Sequence, residues 1–213
     1  MASSTESPSY PQTRPDIKTS VYVRLASPED VDQLALIHSV INRAYRSEGG
    51  WTTEAHLVSE ERITLQELED SLNDKTHPVL IAFDSDTGHP LGTVQLEPAE
   101  GYSDLGEYKG EGYSPEYKEP LPLDQQVFLG LFSVDPSQQS RGIGRKLVEA
   151  ALRHAKEEMK RSQCVVYVLH MRSELISWYK KLGFVCYGEK APFPDMGRLK
   201  QDDGYFDVLR LAL

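Results

Sequence analysis

Cysteine is scarce in this chain. Cys164 and Cys186 are the only two, and no Cys-x-x-Cys occurs. A disulfide framework is therefore excluded, and no His/Cys group has the spacing of a zinc site, so no metal is expected. Long hydrophobic runs are also missing: Cys164–Leu169 is the longest, six residues against the roughly 20 that a membrane span needs. The N-terminal residues MASSTESPSYPQTRPDIK hold no apolar core of the kind a secretory signal requires. Basic charge is in deficit, with 33 acidic against 23 basic residues and a net charge of −10, which argues against nucleic acid as a partner. What remains is ordinary globular usage, 39% hydrophobic and 26% charged over 213 residues, enough for one sizeable core. The expectation is one soluble domain, cytoplasmic with the nucleus left open, and with no membrane partner.

Residues 1–20 are rich in Ser, Thr and Pro and read as a disordered tail, so the folded domain is expected over 21–213. Val21–Leu25 alternates like a short strand. Ser27, with Pro28 and Asp30 behind it, caps a helix whose apolar positions run from Val31 through Leu34, Ile37 and Ile41 to Tyr45. Thr64 and Glu67 form a capping box for a second helix with Leu65, Leu68 and Leu72. Val79–Phe83 and Leu91–Leu96 read as a hairpin around the turn residues Asp84–Gly88. Val127–Val134 is a buried strand closed by Asp135-Pro136, and a helix follows to about Lys160. Cys164–His170, a helix capped by Ser173 and ended by Gly183, and strands at Phe184–Tyr187 and Tyr205–Leu211 complete the chain. Strand–helix–strand alternation in the last third implies a parallel pair within an α/β, mixed-sheet fold.

Residues 97–126 break this pattern. They hold eight acidic and two basic residues, four tyrosines and two copies of Glu-Gly-Tyr-Ser. Thirty residues without periodicity inside a compact domain read as an acidic Tyr/Gly/Pro-rich insertion.

The strongest chemical signal is Gln139-Ser140-Arg141-Gly142-Ile143-Gly144-Arg145-Lys146, placed after a buried strand and opening an amphipathic helix. Glycine lets backbone N–H groups approach a ligand closely, and free N–H groups at a helix N-terminus favour phosphate. Arg141, Arg145 and Lys146 add positive charge to an otherwise acidic protein. A dinucleotide fingerprint needs a third small residue where Leu147 stands, and Gly-Lys-Ser/Thr of a P-loop is absent.

Gln139-x-x-Gly142-x-Gly144 between a buried strand and a helix resembles the acetyl-CoA motif of the GNAT superfamily of N-acetyltransferases. Tyr179, Gly183 and Phe184 resemble that family's Tyr-x-x-x-Gly-Phe helix ending. The resemblance covers residues 21–213 and is most specific over 127–187. It implies a central twisted mixed sheet whose two parallel strands splay apart around the cofactor, acetyl-CoA. It also implies that Phe132, Ser133 and Val134 offer strand-edge backbone to the pantetheine arm. Gln139, Ser140, Arg141, Gly142, Ile143, Gly144 and Arg145 would wrap the pyrophosphate. Tyr179 would be the general acid for the departing thiolate, a role that a phenol beside the sulfur can fill by giving its proton. Trp178 reads as core. Arg172 stands where many members carry Asn, seven residues before the tyrosine. Homodimers are common in the family, although no interface is legible here.

An ammonium acceptor must lose a proton before it attacks, and Glu97 or His170, each at a strand end, are the candidate bases. Tyr45, Trp51 and Glu54 lie where the family forms its acceptor wall. An aromatic ring beside a carboxylate suits an organic cation, so these three are the expected acceptor contacts. The resulting expectation is an N-acetyltransferase acting on a small-molecule amine by direct attack in a ternary complex. The competing readings are a protein lysine or N-terminal acetyltransferase and a non-catalytic acyl-CoA-binding module. A hydrolase is poorly supported, since Gly101-x-Ser103 lacks the setting of a nucleophile elbow.

Overall fold

A computed structural model describes residues 20–47, 49–102, 108–109, 121–193, 199–200 and 204–213. The expected tail, apart from Ser20, and residues 103–107 and 110–120 of the acidic stretch lie outside the described residues.

Eight strands form one sheet: β1 Val21–Leu25, β2 Val79–Asp84, β3 Pro90–Pro98, β4 Tyr108–Lys109, β5 Gln126–Val134, β6 Gln163–Leu169, β7 Val185–Pro192 and β8 Tyr205–Ala212. Their spatial order is β1-β2-β3-β5-β6-β8-β7-β4. All ladders are antiparallel except β5–β6. The helices are α1 Leu34–Arg46, α2 Leu65–Asn73, α3 Ile143–Glu157 and α4 Ser173–Lys181.

The apolar run of β2 is buried on both faces, as a near-continuous hydrophobic strand should be. Leu80 and Ala82 face a core shared with Leu147, Val148 and Ala151 of α3. Val79, Ile81 and Phe83 face Ile37 and Ile41 of α1 and Leu68 and Leu72 of α2. One sheet thus separates two helical layers.

The expected first helix is split. Pro28–Gln33 is a 3₁₀ segment, and the α-helix begins only at Leu34. Asp30 is the reason: it is buried and accepts two 2.7 Å bonds from Arg24 and one from the Ser27 N–H, which holds the first turn tight. The third helix ends at Glu157 rather than Lys160, because Lys160 has φ +55° and the Arg161 N–H turns back to the Ala155 carbonyl. β7 runs on past Tyr187 to Pro192, resuming after Gly188 at φ +92°.

β5 is the strand that positions the site. It pairs with β6 over Gln126↔Gln163, Val127↔Cys164 and Phe128↔Val165 only. On its other edge the register to β3 slips between Thr93 and Gln95, where Leu131 has φ +41°. A bulge bends its strand and raises the local twist, and β5 is already unpaired from β6 beyond Phe128, on the approach to this bulge. Arg210 on β8 ties the closed end of the resulting V. It makes a bidentate pair with Glu189 on β7 at 2.7 and 2.9 Å and donates to Gln126 and Gln163, the first partners of the parallel ladder.

Candidate active site

The gap between β5 and β6 opens a cavity of about 340 Å³. Leu129 and Phe132–Val134 of β5 form one wall and Val166–Leu169 of β6 the other, with α4, the N-terminus of α3 and the 51–54 loop around them. A second cavity of about 420 Å³ shares Tyr45, Glu54, Leu129, Tyr167 and Leu169 with the first and continues to Glu97, Phe128 and Phe206. The two together run through the sheet at its splayed point.

At the glycine turn, Ser140 and Gly142 both have positive φ, +65° and +76°. Gly142 is the N-cap of α3 and brings no side chain to its free N–H groups, which leaves the first turn open to an anion. Gly144 has a different reason to be glycine: a Cβ there would lie 3.2 Å from Phe132 Cζ and 3.6 Å from Trp178, so it allows α3 to sit close on the cleft wall. Gln139 bridges two loops, its Oε1 accepting from the Trp51 N–H at 2.5 Å and its Nε2 donating to the Val134 carbonyl at 3.3 Å. Arg141 turns away to Gln138 and Asp84, Arg145 is largely exposed beside Glu149, and Lys146 donates to the Val21 carbonyl.

Tyr179 is buried with its ring against Phe184, 5.3 Å between centroids at 72°, and near Phe132. The helix ending explains this packing. Gly183 at φ +98° reverses the chain, and the Phe184 N–H returns to the Tyr179 carbonyl, folding Phe184 onto the tyrosine. Burial, reinforced by the nearby Tyr45 and Cys164, pushes the phenol well above its usual range, while Arg172 pulls it back slightly. Tyr179 is therefore a protonated donor at neutral pH.

A charged group sits where the two cavities meet. Arg172 is 9% exposed; its Nη1 bonds Glu54 Oε1 at 2.5 Å and its Nη2 bonds Thr52 at 3.0 Å. Arg46 takes the other Glu54 oxygen at 3.3 Å. Arg62 lies 5.3 Å over the Tyr45 ring. Burial raises the Tyr45 phenol, and Arg62 offsets part of that rise. Glu97 lines the second cavity, where burial holds its carboxyl above the usual carboxylate range against the pull of Arg62 and His77.

Of the expected residues, Tyr179, Tyr45, Trp51, Glu54 and every cofactor contact except Arg141 line the first cavity. Trp51 is 53% exposed at its edge, so it does not pack under the first helix. Trp178, expected in the core, packs against it half-buried and also lines the cleft, stacked on Phe132. His170 stacks on Tyr205 at 4.0 Å and lines neither cavity, whereas Glu97 lines the second. Arg46 and Arg62 were not legible as site residues: one ends a helix and the other precedes a capping box, and neither context marks a ligand.

Against known proteins, the profile of the Acetyltransferase (GNAT) domain matches residues 75–186, just over half of the chain. The chain belongs to the GNAT acetyltransferase family. Spermine/spermidine N(1)-acetyltransferase of Bacillus subtilis is 29% identical over 86 residues, 40% of this chain and 56% of that protein, so the match spans about half the relative's length. Spermidine N-acetyltransferase from Vibrio cholerae, solved with CoA and spermine, superposes at TM-score 0.60 with 15% identity, covering 90% of this chain and 95% of its own. A Salmonella typhimurium chain solved with its cofactor acetyl-CoA superposes at 0.61 with 16% identity over 92% and 95%. These likenesses show the shared fold, the mixed sheet with its splayed parallel pair.

GNAT acetyltransferases are acyltransferases that use acetyl-CoA, and the residues present fit that cofactor. The uncapped first turn of α3 suits a pyrophosphate. Within the cavity wall, the Arg172 Nε–H is buried without a partner among the described residues, a donor that a carbonyl in the cleft would satisfy. No helix among the described residues is long and apolar enough to cross a membrane.

Proposed function

We propose that the chain is an N-acetyltransferase that moves acetyl from acetyl-CoA to the primary amine of a small molecule, by direct attack in a ternary complex. The observation that carries this reading is the cleft through the sheet, with Tyr179 on the side of the α3 turn and Glu97 on the other. Ser140, Gly142, Ile143, Gly144 and Arg145 would hold the pyrophosphate, with Gln139 fixing the loop and the free edge of Phe132–Val134 holding the pantetheine arm. Acetyl-CoA supplies an acetyl group already activated as a thioester. Glu97 takes a proton from the acceptor ammonium, directly or through water, and frees its lone pair. The new N–C bond forms as the C–S bond breaks; the Tyr179 hydroxyl gives its proton to the departing sulfur, the acylated nitrogen sheds its remaining extra proton to water, and the Tyr179 oxygen regains one from water. Spermine and spermidine, the substrates in the relatives' names, support a small-molecule amine as acceptor.

The test is a thiol-release assay over a panel of amines, paired with calorimetric titration by acetyl-CoA. Tyr179→Phe is expected to lower kcat about 100-fold while leaving acetyl-CoA affinity within twofold. Turnover equal to wild type in that variant, or no thiol release with any small amine, overturns the reading. Transfer only to protein lysines or N-terminal amines would move the assignment to a protein acetyltransferase.

A further inference from the structure

We infer that the acceptor carries a carboxylate beside its amine, that Arg62 holds this carboxylate, and that the substrate class is amino acids with apolar or aromatic side chains. The inference rests on the acetyltransferase reading above and narrows its acceptor.

Charge around the second cavity does not suit a polycation. Two guanidiniums, Arg46 and Arg62, face two carboxylates, Glu54 and Glu97, in the second cavity, and Arg172 of the first cavity adds a third cation bonded to the shared Glu54. Both oxygens of Glu54 are already taken, Oε1 by Arg172 and Oε2 by Arg46. Glu54 is thus matched within the protein and does not present a free carboxylate to an ammonium. Arg62 and Glu97 remain. Neither forms an ion pair within 4 Å among the described residues, although each lies within electrostatic range of the other and both line this cavity. A desolvated cation and a desolvated carboxylate, apart yet facing one space, complement a ligand that bears both signs.

Arg62 is held for this task. Its backbone N–H donates to Asn42 Oδ1 at 2.6 Å, and Asn42 Nδ2 donates to the Ile63 carbonyl at 2.9 Å, fixing the segment on α1. The guanidinium is laid over Tyr45. A planar fork on a fixed stem recognises a carboxylate through two parallel hydrogen bonds. The rest of the cavity is apolar, with Val58, Phe128, Leu169, Phe193 and Phe206 among its walls, and accepts a hydrocarbon or aromatic side chain. With the carboxylate on Arg62, the amine is left to Glu97 and the cleft.

Thiol release would be measured with acetyl-CoA and phenylalanine, leucine or tyrosine. The comparison acceptors are their amides, phenethylamine and spermine. At least one of the amino acids is expected to exceed its amide and decarboxylated form by about 10- to 100-fold in kcat/KM, the scale of a charge-assisted pair. Arg62→Gln is expected to collapse that preference through KM, and Arg62→Lys to restore part of it. Should Arg62→Gln fail to fold, the wild-type preference alone decides. Spermine or phenethylamine matching the best amino acid overturns the carboxylate subsite and leaves the acetyltransferase reading standing. Equal loss on all acceptors in Arg62→Gln overturns the subsite as well. No turnover with any amine overturns both readings.

Discussion

The Glu97 carboxylate rests on the backbone of Gly130: a Cβ built on that glycine would overlap Oε1. The two residues sit on adjacent strands, two positions apart in register and so on the same face, since Gln95 pairs with Gly130 and Glu97 with Phe128. Glycine at this point, next to the bulge at Leu131, lets a charged side chain lie flat against β5 within the cavity. Gly130→Ala should therefore displace Glu97 while adding only one methyl group. The expected outcome is a fall in kcat of about 10- to 100-fold, the scale of a misplaced base, with acetyl-CoA affinity kept. Steady-state kinetics and calorimetry on one preparation check it.

Glu97 also sets a pH dependence. Burial favours its neutral form, so its folded-state pKa lies above the ordinary value of 4.5. A base must be deprotonated to act, so kcat/KM should rise with pH on a limb displaced upward from that value. Glu97→Gln should remove the limb and lower the rate about 100-fold or more. Stability moves in the opposite sense. Between the unfolded and folded pKa values the native state binds the extra proton, so this group's stabilising contribution is present below 4.5 and lost as pH rises through the folded value. The thermal midpoint of wild type should accordingly fall relative to Glu97→Gln across that window. Parallel midpoints would show that Glu97 is not desolvated.

Much of the frame was legible because it depends on local signals. The box at Thr64 and Glu67 forms as expected, with the Glu67 N–H bonding Thr64 Oγ1 at 3.2 Å and the Thr64 N–H bonding Glu67 Oε2 at 2.8 Å. The glycine turn and Tyr179 converge on one cavity because strand, turn and helix follow one another closely in the chain. What could not be read is long-range. Glu54 and Arg172 are 118 residues apart and meet only after β6 and α4 are placed, so the carboxylate that suited a cation is found already neutralised. Trp178 carries the apolar signature of core, yet a splayed sheet turns one side of that core into a cleft. The split at Asp30 came from a tertiary partner, Arg24, overriding a sound N-cap.

The two glycines of the turn should separate in mutagenesis. Gly142 has open space around it but φ +76°, so Gly142→Ala is expected to cost about 1 kcal/mol of stability through backbone strain alone. Gly142→Glu adds a negative charge where the α3 N–H groups await an anion, and acetyl-CoA affinity should fall more than tenfold. Gly144→Ala instead presses on Phe132, 3.2 Å away, and on Trp178, so it should widen the cleft wall and perturb Trp178 fluorescence. Unchanged cofactor affinity in Gly142→Glu would show that the pyrophosphate does not sit at this turn.

Arg210 controls the closed end of the V. It is 3% exposed, and its partner Glu189 is 1% exposed. Their pairing also satisfies Gln126 and Gln163, the residues that begin the parallel ladder. Removing one member of a buried pair leaves a charge without compensation, at a cost of about 3–5 kcal/mol. Arg210→Met should therefore lower the thermal midpoint by roughly 10 °C, given about 2–4 °C per kcal/mol at this chain length. Removing both charges avoids that penalty, so Arg210→Met combined with Glu189→Leu should recover most of the loss. Differential scanning calorimetry reads both variants. The functional consequence follows from position: with Gln126 and Gln163 released, the short ladder from Gln126 to Phe128 loses its anchor, and the cavity walls that diverge from it lose their fixed spacing. Acetyl-CoA affinity should drop in Arg210→Met even though the residue lines neither cavity, and stay low in the double variant, where Gln126 and Gln163 are still released. A single variant that melts early yet binds the cofactor as wild type does would show that the splay is set by the bulge at Leu131 alone.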